Sequence, residues 1–169
     1  MSSYVPRLTA PALNDLNFIN YTYGGYNYCM VIDNNTGYVM PNCTGYCWGR
    51  WRELLGAYHN LSRGNAANWY GNTSDGYQRG STPQLGAVAC WSGGSGGEGH
   101  VAIVEDISSS GVLVSESAYN GYMFRTNTYP ANMAKSGYSF QGFIYIPLTF
   151  TDYYPLIVRR KRLKVKVRR

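Results

Sequence analysis

The hydrophobic period of this chain changes once, near Pro83, and that change restricts the fold more than any other feature of the sequence. Before it, Cys47, Trp48, Trp51, Leu54 and Leu55 recur at spacings of three and four, so residues 44–55 predict a helix with Gly56 as its stop. Gly45 and Gly49 each weaken that helix by about 1 kcal/mol, which implies that something packs close against it. After Pro83, short β-rich runs at 85–91, 101–105, 111–117 and 142–147 are bounded by glycine or polar turns. A Gly-rich loop at 93–99 joins the first two runs, and residues 106–110 join the next pair as a tight hairpin. A helix-led half followed by antiparallel strands predicts an α+β domain. Residues 1–42 predict an extended lead-in with turns at Gly24-Gly25 and around 33–37, and a short helix is expected near 66–69.

A length of 169 residues suits one domain with a real core. The chain has 17 tyrosines, 20 glycines and only 14% charged residues, which excludes a disordered polymer. Its net charge of +6 is misleading. Residues 159–169 carry eight basic groups and no acid, while the other 158 residues carry seven basic and nine acidic groups. The basicity belongs to a tail, so the charge gives no reason to expect nucleic acid as a partner of the body. The four cysteines, Cys29, Cys43, Cys47 and Cys90, form no C-x-x-C pair and have no histidine beside them, so no metal site is expected. A Cys29–Cys47 disulfide is compatible with the sequence but not demanded by it. The first residues, M-S-S-Y-V-P-R, lack the apolar core of a secretory signal. No apolar run approaches the roughly 18 residues of a membrane helix, so no transmembrane segment is expected.

Two stretches carry chemistry. In P-N-C-T-G-Y-C-W-G-R-W, Cys43 stands where a loop becomes the predicted helix. Unpaired N–H groups at a helix start favour a thiolate and can hold an oxyanion. In G-H-V-A-I-V-E-D, His100 heads an apolar strand and shares a face with Ala102 and Val104. The other histidine, His59, lies beyond the far end of the helix, about 20 Å from Cys43 at roughly 1.5 Å per residue. It is expected to be an exposed loop residue and a poor base. An imidazole base needs an orienting partner. Glu116 ends the row Val112, Val114, Glu116, and pairing of the two strands would bring it near His100. Glu105 points to the opposite face, whereas Glu98 and Asp106 fall in expected loops.

The ordered set C-T-G-Y-C-W-G-R, L-G-A-V-A-C-W, G-H-V-A-I-V-E and V-S-E-S resembles the CHAP domain, the cysteine- and histidine-dependent amidohydrolase/peptidase family, particularly as found in phage endolysins and bacterial autolysins. The resemblance covers residues 4–147. It implies a papain-like α+β fold in a catalytic domain at 1–148, followed by a linker and basic tail at 149–169. It implies a peptidoglycan hydrolase with Cys43 as nucleophile, His100 as general base and Glu116 as its orienting acid. The reaction would be that of an N-acetylmuramoyl-L-alanine amidase. The alternatives are a cross-bridge endopeptidase or a non-catalytic wall-binding or virion module. Asn42 stands where relatives often have Gln, which implies an oxyanion contact. Ala118 stands where many have Asn, which leaves that role empty. Cys47 stands where the family usually has an aliphatic residue or Ala and is read as core.

Trp48, Trp51 and Trp91 are expected in the core, whereas Trp69 and Tyr70, set in a polar stretch, are candidates for substrate contact. Asp33, Asn34 and Asn35 could supply oxygens to Ca²⁺, and some relatives bind calcium just upstream of the nucleophile. The run lacks the full calcium-loop pattern, so no cofactor is expected. The tail would bind anionic wall polymers or lipid phosphates. A monomer is expected, made in a host cytoplasm and acting on the cell wall, or delivered from outside.

Overall fold

In the computed structural model, residues 3–12, 15–20, 26–27, 30–32 and 39–150 are described. Among the described residues four short strands precede the helix: β1 (Ile19–Asn20) pairs with β2 (Tyr26–Asn27), and β3 (Met30–Ile32) pairs with β4 (Val39–Pro41), both antiparallel. The turns expected at 24–25 and 33–37, the candidate calcium oxygens at 33–35, Cys29 and the basic tail lie outside the described residues.

Helix α1 runs Cys43–Leu55, one residue longer than expected. Asn42 begins it: its Oδ1 accepts the Gly45 N–H at 2.8 Å, the side-chain cap that such a residue supplies. Gly56 ends it, donating its N–H to the Arg52 carbonyl. The predicted close approach occurs at Gly49, where a methyl group would overlap the Phe18 ring. That overlap explains why helix propensity is given up there.

Among the described residues after α1, six strands form one antiparallel sheet in the order β5 (Arg79–Gly80), β10 (Tyr138–Ile144), β6 (Val88–Gly93), β7 (His100–Ser108), β8 (Gly111–Glu116) and β9 (Arg125–Tyr129). Alternation along β6 and β7 splits the core in two. Val88, Cys90, Val101 and Ile103 pack with Tyr46, Cys47, Trp48 and Trp51 of α1. Ala89, Trp91, Ala102 and Val104 join Val112 and Val114 of β8 and Tyr129 of β9 in the second cluster. The architecture is α+β.

Two expectations are corrected. β7 runs to Ser108, with Ser108 paired to Gly111, so Asp106 is a buried strand residue rather than part of a loop and only Ser109 and Ser110 make the turn. β9 was not anticipated, because R-T-N-T-Y buries only its last residue and carries no apolar alternation. A bulge falls between Val104 and Asp106. At that point the fully buried Glu105 turns toward α1, where Arg50 Nε and Nη2 lie 3.1 and 3.0 Å from its two oxygens. The Tyr4 hydroxyl at 2.7 Å, the Arg7 N–H at 2.9 Å and the Ser115 hydroxyl at 2.7 Å complete its shell. One buried carboxylate thus ties the amino-terminal segment, the helix and two sheet strands together.

Candidate active site

Cys43 is the first residue of α1 and is almost buried. Asn42 uses its side-chain and backbone oxygens on Gly45 and Tyr46, and Oδ1 also accepts from the Thr44 hydroxyl. The N–H groups of Cys43 and Thr44 are therefore left without a partner among the described residues. These two donors sit beside the sulfur at the positive end of the helix. The oxygen of Asn42 is committed to the cap, and its amide nitrogen is the part that remains for any contact with substrate.

His100 is the first residue of β7 and is 4% exposed. Gly99 precedes it at φ 76, packed so tightly against the Ala67 backbone and the Trp91 carbonyl that a side chain there would overlap both. The ring lies 5.8 Å from that of Trp91 and 6.1 Å from that of Tyr138, centre to centre. Nε2 is 2.5 Å from Glu116 Oε2. The Cys43 side chain interacts with the same imidazole, and Nδ1 is the ring nitrogen left to face it.

The strand register explains why Glu116 arrives there. Ile103 faces Ser115 and Val104 faces Val114, which puts Glu116 across from Ala102 and one diagonal step from His100. The Glu116 side chain is fully buried. Burial alone would raise its pKa, but the His100 hydrogen bond and charge, with help from Arg125 and Lys135, bring it down to about 2. Burial likewise pushes His100 down, but the neighbouring Cys43 and Glu116 side chains outweigh this and hold the imidazole above its ordinary value. A site of this kind, with a thiol, an imidazole held ready to carry a proton and an ionised carboxylate behind it, can generate and use a thiolate nucleophile.

The structure gives other expected residues different places. Trp69, a candidate for substrate contact, is fully buried, and its Nε1 donates to the Gly64 carbonyl at 3.2 Å. It belongs to the core because the 3-10 turn at Ala66–Asn68 packs on β6 and takes the indole inward. Tyr70 is partly buried at the edge of the same cluster. His59 is not an exposed loop residue: its ring lies tilted 4.1 Å from that of Trp48, centre to centre, Nε2 meets the Trp48 carbonyl at 2.9 Å, and Nδ1 accepts the Leu61 N–H at 3.2 Å. It packs against the Trp48 and Trp51 side of α1 and takes no part in the site. Trp48, Trp51, Trp91 and Cys47 are core, as expected. Among the described residues no cluster of His, Cys, Asp and Glu could hold a metal ion, and no helix is long and apolar enough to cross a membrane.

Arg125 escaped the sequence reading. Its Nε donates to Glu116 Oε1 at 2.7 Å, and its guanidinium lies 4.0 Å from the centre of the Tyr122 ring. It is the cross-strand partner of Glu116. Recognising β9 in the sequence would have placed it.

A family model described as the CHAP domain matches residues 33–118, half of the chain. A Staphylococcus aureus protein named "Probable autolysin LDP" is 33% identical over 116 residues, which is 67% of this chain and 40% of that protein. Staphylococcal secretory antigen ssaA2 is 36% identical over 108 residues, 61% of this chain and 38% of that protein. A crystal structure of an N-acetylmuramoyl-L-alanine amidase from S. aureus aligns at 28% identity and a TM-score of 0.44, covering 60% of this chain and 30% of that one. The chain thus spans about 40% of the length of the curated relatives it matches. Cys43, His100 and Glu116 all fall inside the segment matched by the family model, and the chain belongs to the CHAP domain family.

Proposed function

We propose that this protein is a peptidoglycan hydrolase that cleaves an amide bond of the bacterial cell wall through Cys43, His100 and Glu116. The observation that carries this reading is the placement of His100 between two side chains, with Nε2 2.5 Å from Glu116 Oε2 and Nδ1 left to face the Cys43 thiol that acts on it. His100 takes the thiol proton, and the Cys43 thiolate adds to the amide carbonyl carbon. The resulting oxyanion is held by the N–H groups of Cys43 and Thr44. The imidazolium returns its proton to the leaving amine nitrogen as the C–N bond breaks. Water, deprotonated by His100, then attacks the thioester, and the carboxylate product leaves with the thiolate restored. Glu116 stays ionised and steadies the imidazolium, and no metal is required by this set of residues.

The bond is taken to be the amide between N-acetylmuramic acid and L-alanine. Mass spectrometry of digested, purified wall tests this choice. An amidase releases peptides with a free amino-terminal alanine and leaves the glycan chains bare. Cross-bridge fragments with the alanine still attached to muramic acid would instead assign an endopeptidase. An intact wall, under conditions where Cys43 is reduced, would favour the non-catalytic wall-binding reading.

A further inference from the structure

The Glu116 carboxylate is enclosed: its side chain is 0% exposed and it meets cations from two different strands. His100 of β7 takes Oε2 at 2.5 Å, and Arg125 of β9 takes Oε1 at 2.7 Å. Behind them the Tyr129 hydroxyl lies 3.4 Å from Oε2 and receives the Lys135 ammonium at 2.9 Å. The Tyr122 ring carries the Arg125 guanidinium, and its phenol interacts electrostatically with Glu116. These groups, with Cys43 of α1 acting through His100, are the titratable and charged side chains facing Glu116 from the elements around it.

Arg125 differs from the other members of this set. It is the direct cross-strand neighbour of Glu116, its plane is fixed by the Tyr122 ring, and yet its side chain is 44% exposed. A buried carboxylate partnered by a histidine is balanced only while that histidine holds its proton. In the proposed cycle His100 gives its proton to the leaving amine and becomes neutral. Without Arg125, Glu116 would at that moment be a buried charge with only the more distant Lys135 to offset it, a costly state that would draw a proton and change its hydrogen bonding. Arginine keeps its charge at any working pH, so an Arg partner removes this dependence. By occupying Oε1 it also leaves Oε2 aimed at the imidazole.

We propose that Arg125 is a positioning residue that holds the Glu116 carboxylate in place and ionised through both protonation states of His100. The inference rests on the reading of Cys43, His100 and Glu116 as the reacting set. It is tested on the full chain by the rate at which iodoacetamide alkylates Cys43, located by peptide mass mapping, as a function of pH. Arg125→Gln should move the acid side of that profile upward by about one pH unit, so that alkylation at mildly acidic pH is about tenfold slower. Arg125→Lys, which keeps the charge and can reach the same oxygen, should recover most of the wild-type profile. With peptidoglycan as substrate, kcat should fall in Arg125→Gln while KM holds. Superimposable profiles for the Gln variant and the wild type would overturn the proposal. So would equal impairment by Lys and Gln, or a uniform slowing at every pH. Alkylation needs no substrate, so the test stands even if hydrolysis of a chosen wall fails. A Cys43 rate insensitive to His100→Ala would instead remove the reading beneath it.

Discussion

The last residue of β8 and the first residue of β7 meet across a strand diagonal: Glu116 Oε2 lies 2.5 Å from His100 Nε2, with Glu116 fully buried and His100 4% exposed. Glu116 is one of the groups that hold the imidazole above its ordinary value. Glu116→Gln keeps the shape and removes the charge. It should reduce kcat/KM by about a hundredfold or more, within the range ascribed to general acid–base groups. Because the imidazolium loses a stabilising charge, the alkaline limb of the pH–rate profile should move to lower pH. Steady-state rates on purified wall across pH check both, and an unmoved alkaline limb would separate Glu116 from His100.

His59 has a structural role with a pH signature. Burial draws its pKa from 6.5 down to about 4; the Trp48 carbonyl opposes this, and Arg63 and Arg52 add to it. The unfolded chain therefore binds this proton first, and the contribution of His59 to stability is full above about pH 6.5 and is lost as pH falls toward 4. Protonating Nδ1 also breaks its bond from the Leu61 N–H. Urea midpoints should fall across that window in the wild type and fall less in His59→Gln, while the Gln variant retains wall hydrolysis at neutral pH.

The Glu105–Arg50 pair is buried on both sides, at 0% and 4% side-chain exposure. Glu105→Gln leaves the Arg50 charge inside the protein with Glu53 as its remaining carboxylate partner. Removing one member of a buried pair costs about 3–5 kcal/mol. Denaturant unfolding of Glu105→Gln should show a loss of that size, and a change below about 1 kcal/mol would mean that the shell of hydroxyls and N–H groups, not the ion pair, carries the anchor.

Residues 159–169, with eight basic groups and no acid, are proposed to bind anionic wall polymers or lipid phosphates. Deleting 158–169 should weaken sedimentation with teichoic-acid-bearing walls and flatten the dependence of binding on salt. Hydrolysis of small soluble wall fragments should be unchanged. Binding that survives the deletion would assign wall attachment to the body of the protein.

Much of this was legible from local pattern. The helix over 44–55 could be read because the three-and-four spacing of its large side chains and Gly56 agree, whereas Asn42 as its cap emerged only from the structure. The pairing of β7 with β8 could be read because Ala102 and Val104 on one strand and Val112 and Val114 on the other form matching apolar rows, and they share one core cluster. That is why His100 and Glu116, at the ends of those rows, could be named together. What was missed depends on contacts distant in sequence. The polar strand β9 carries no periodic signal, and so Arg125 beside Glu116 went unseen. Trp69 sits among polar neighbours, and only the packing of its 3-10 turn on β6 takes the ring inside. His59 resembled a loop residue because its partner, the Trp48 carbonyl, is supplied by the middle of α1 rather than by its own neighbours.

The central claim is that the Cys43 sulfur, activated by His100, is the attacking atom. The most direct measurement is the clearing of a purified peptidoglycan suspension by Cys43→Ala and His100→Ala, each shown by circular dichroism to be folded. Both variants should leave the turbidity unchanged on the timescale on which the wild type clears it. Wild-type lysis by folded Cys43→Ala would contradict the account.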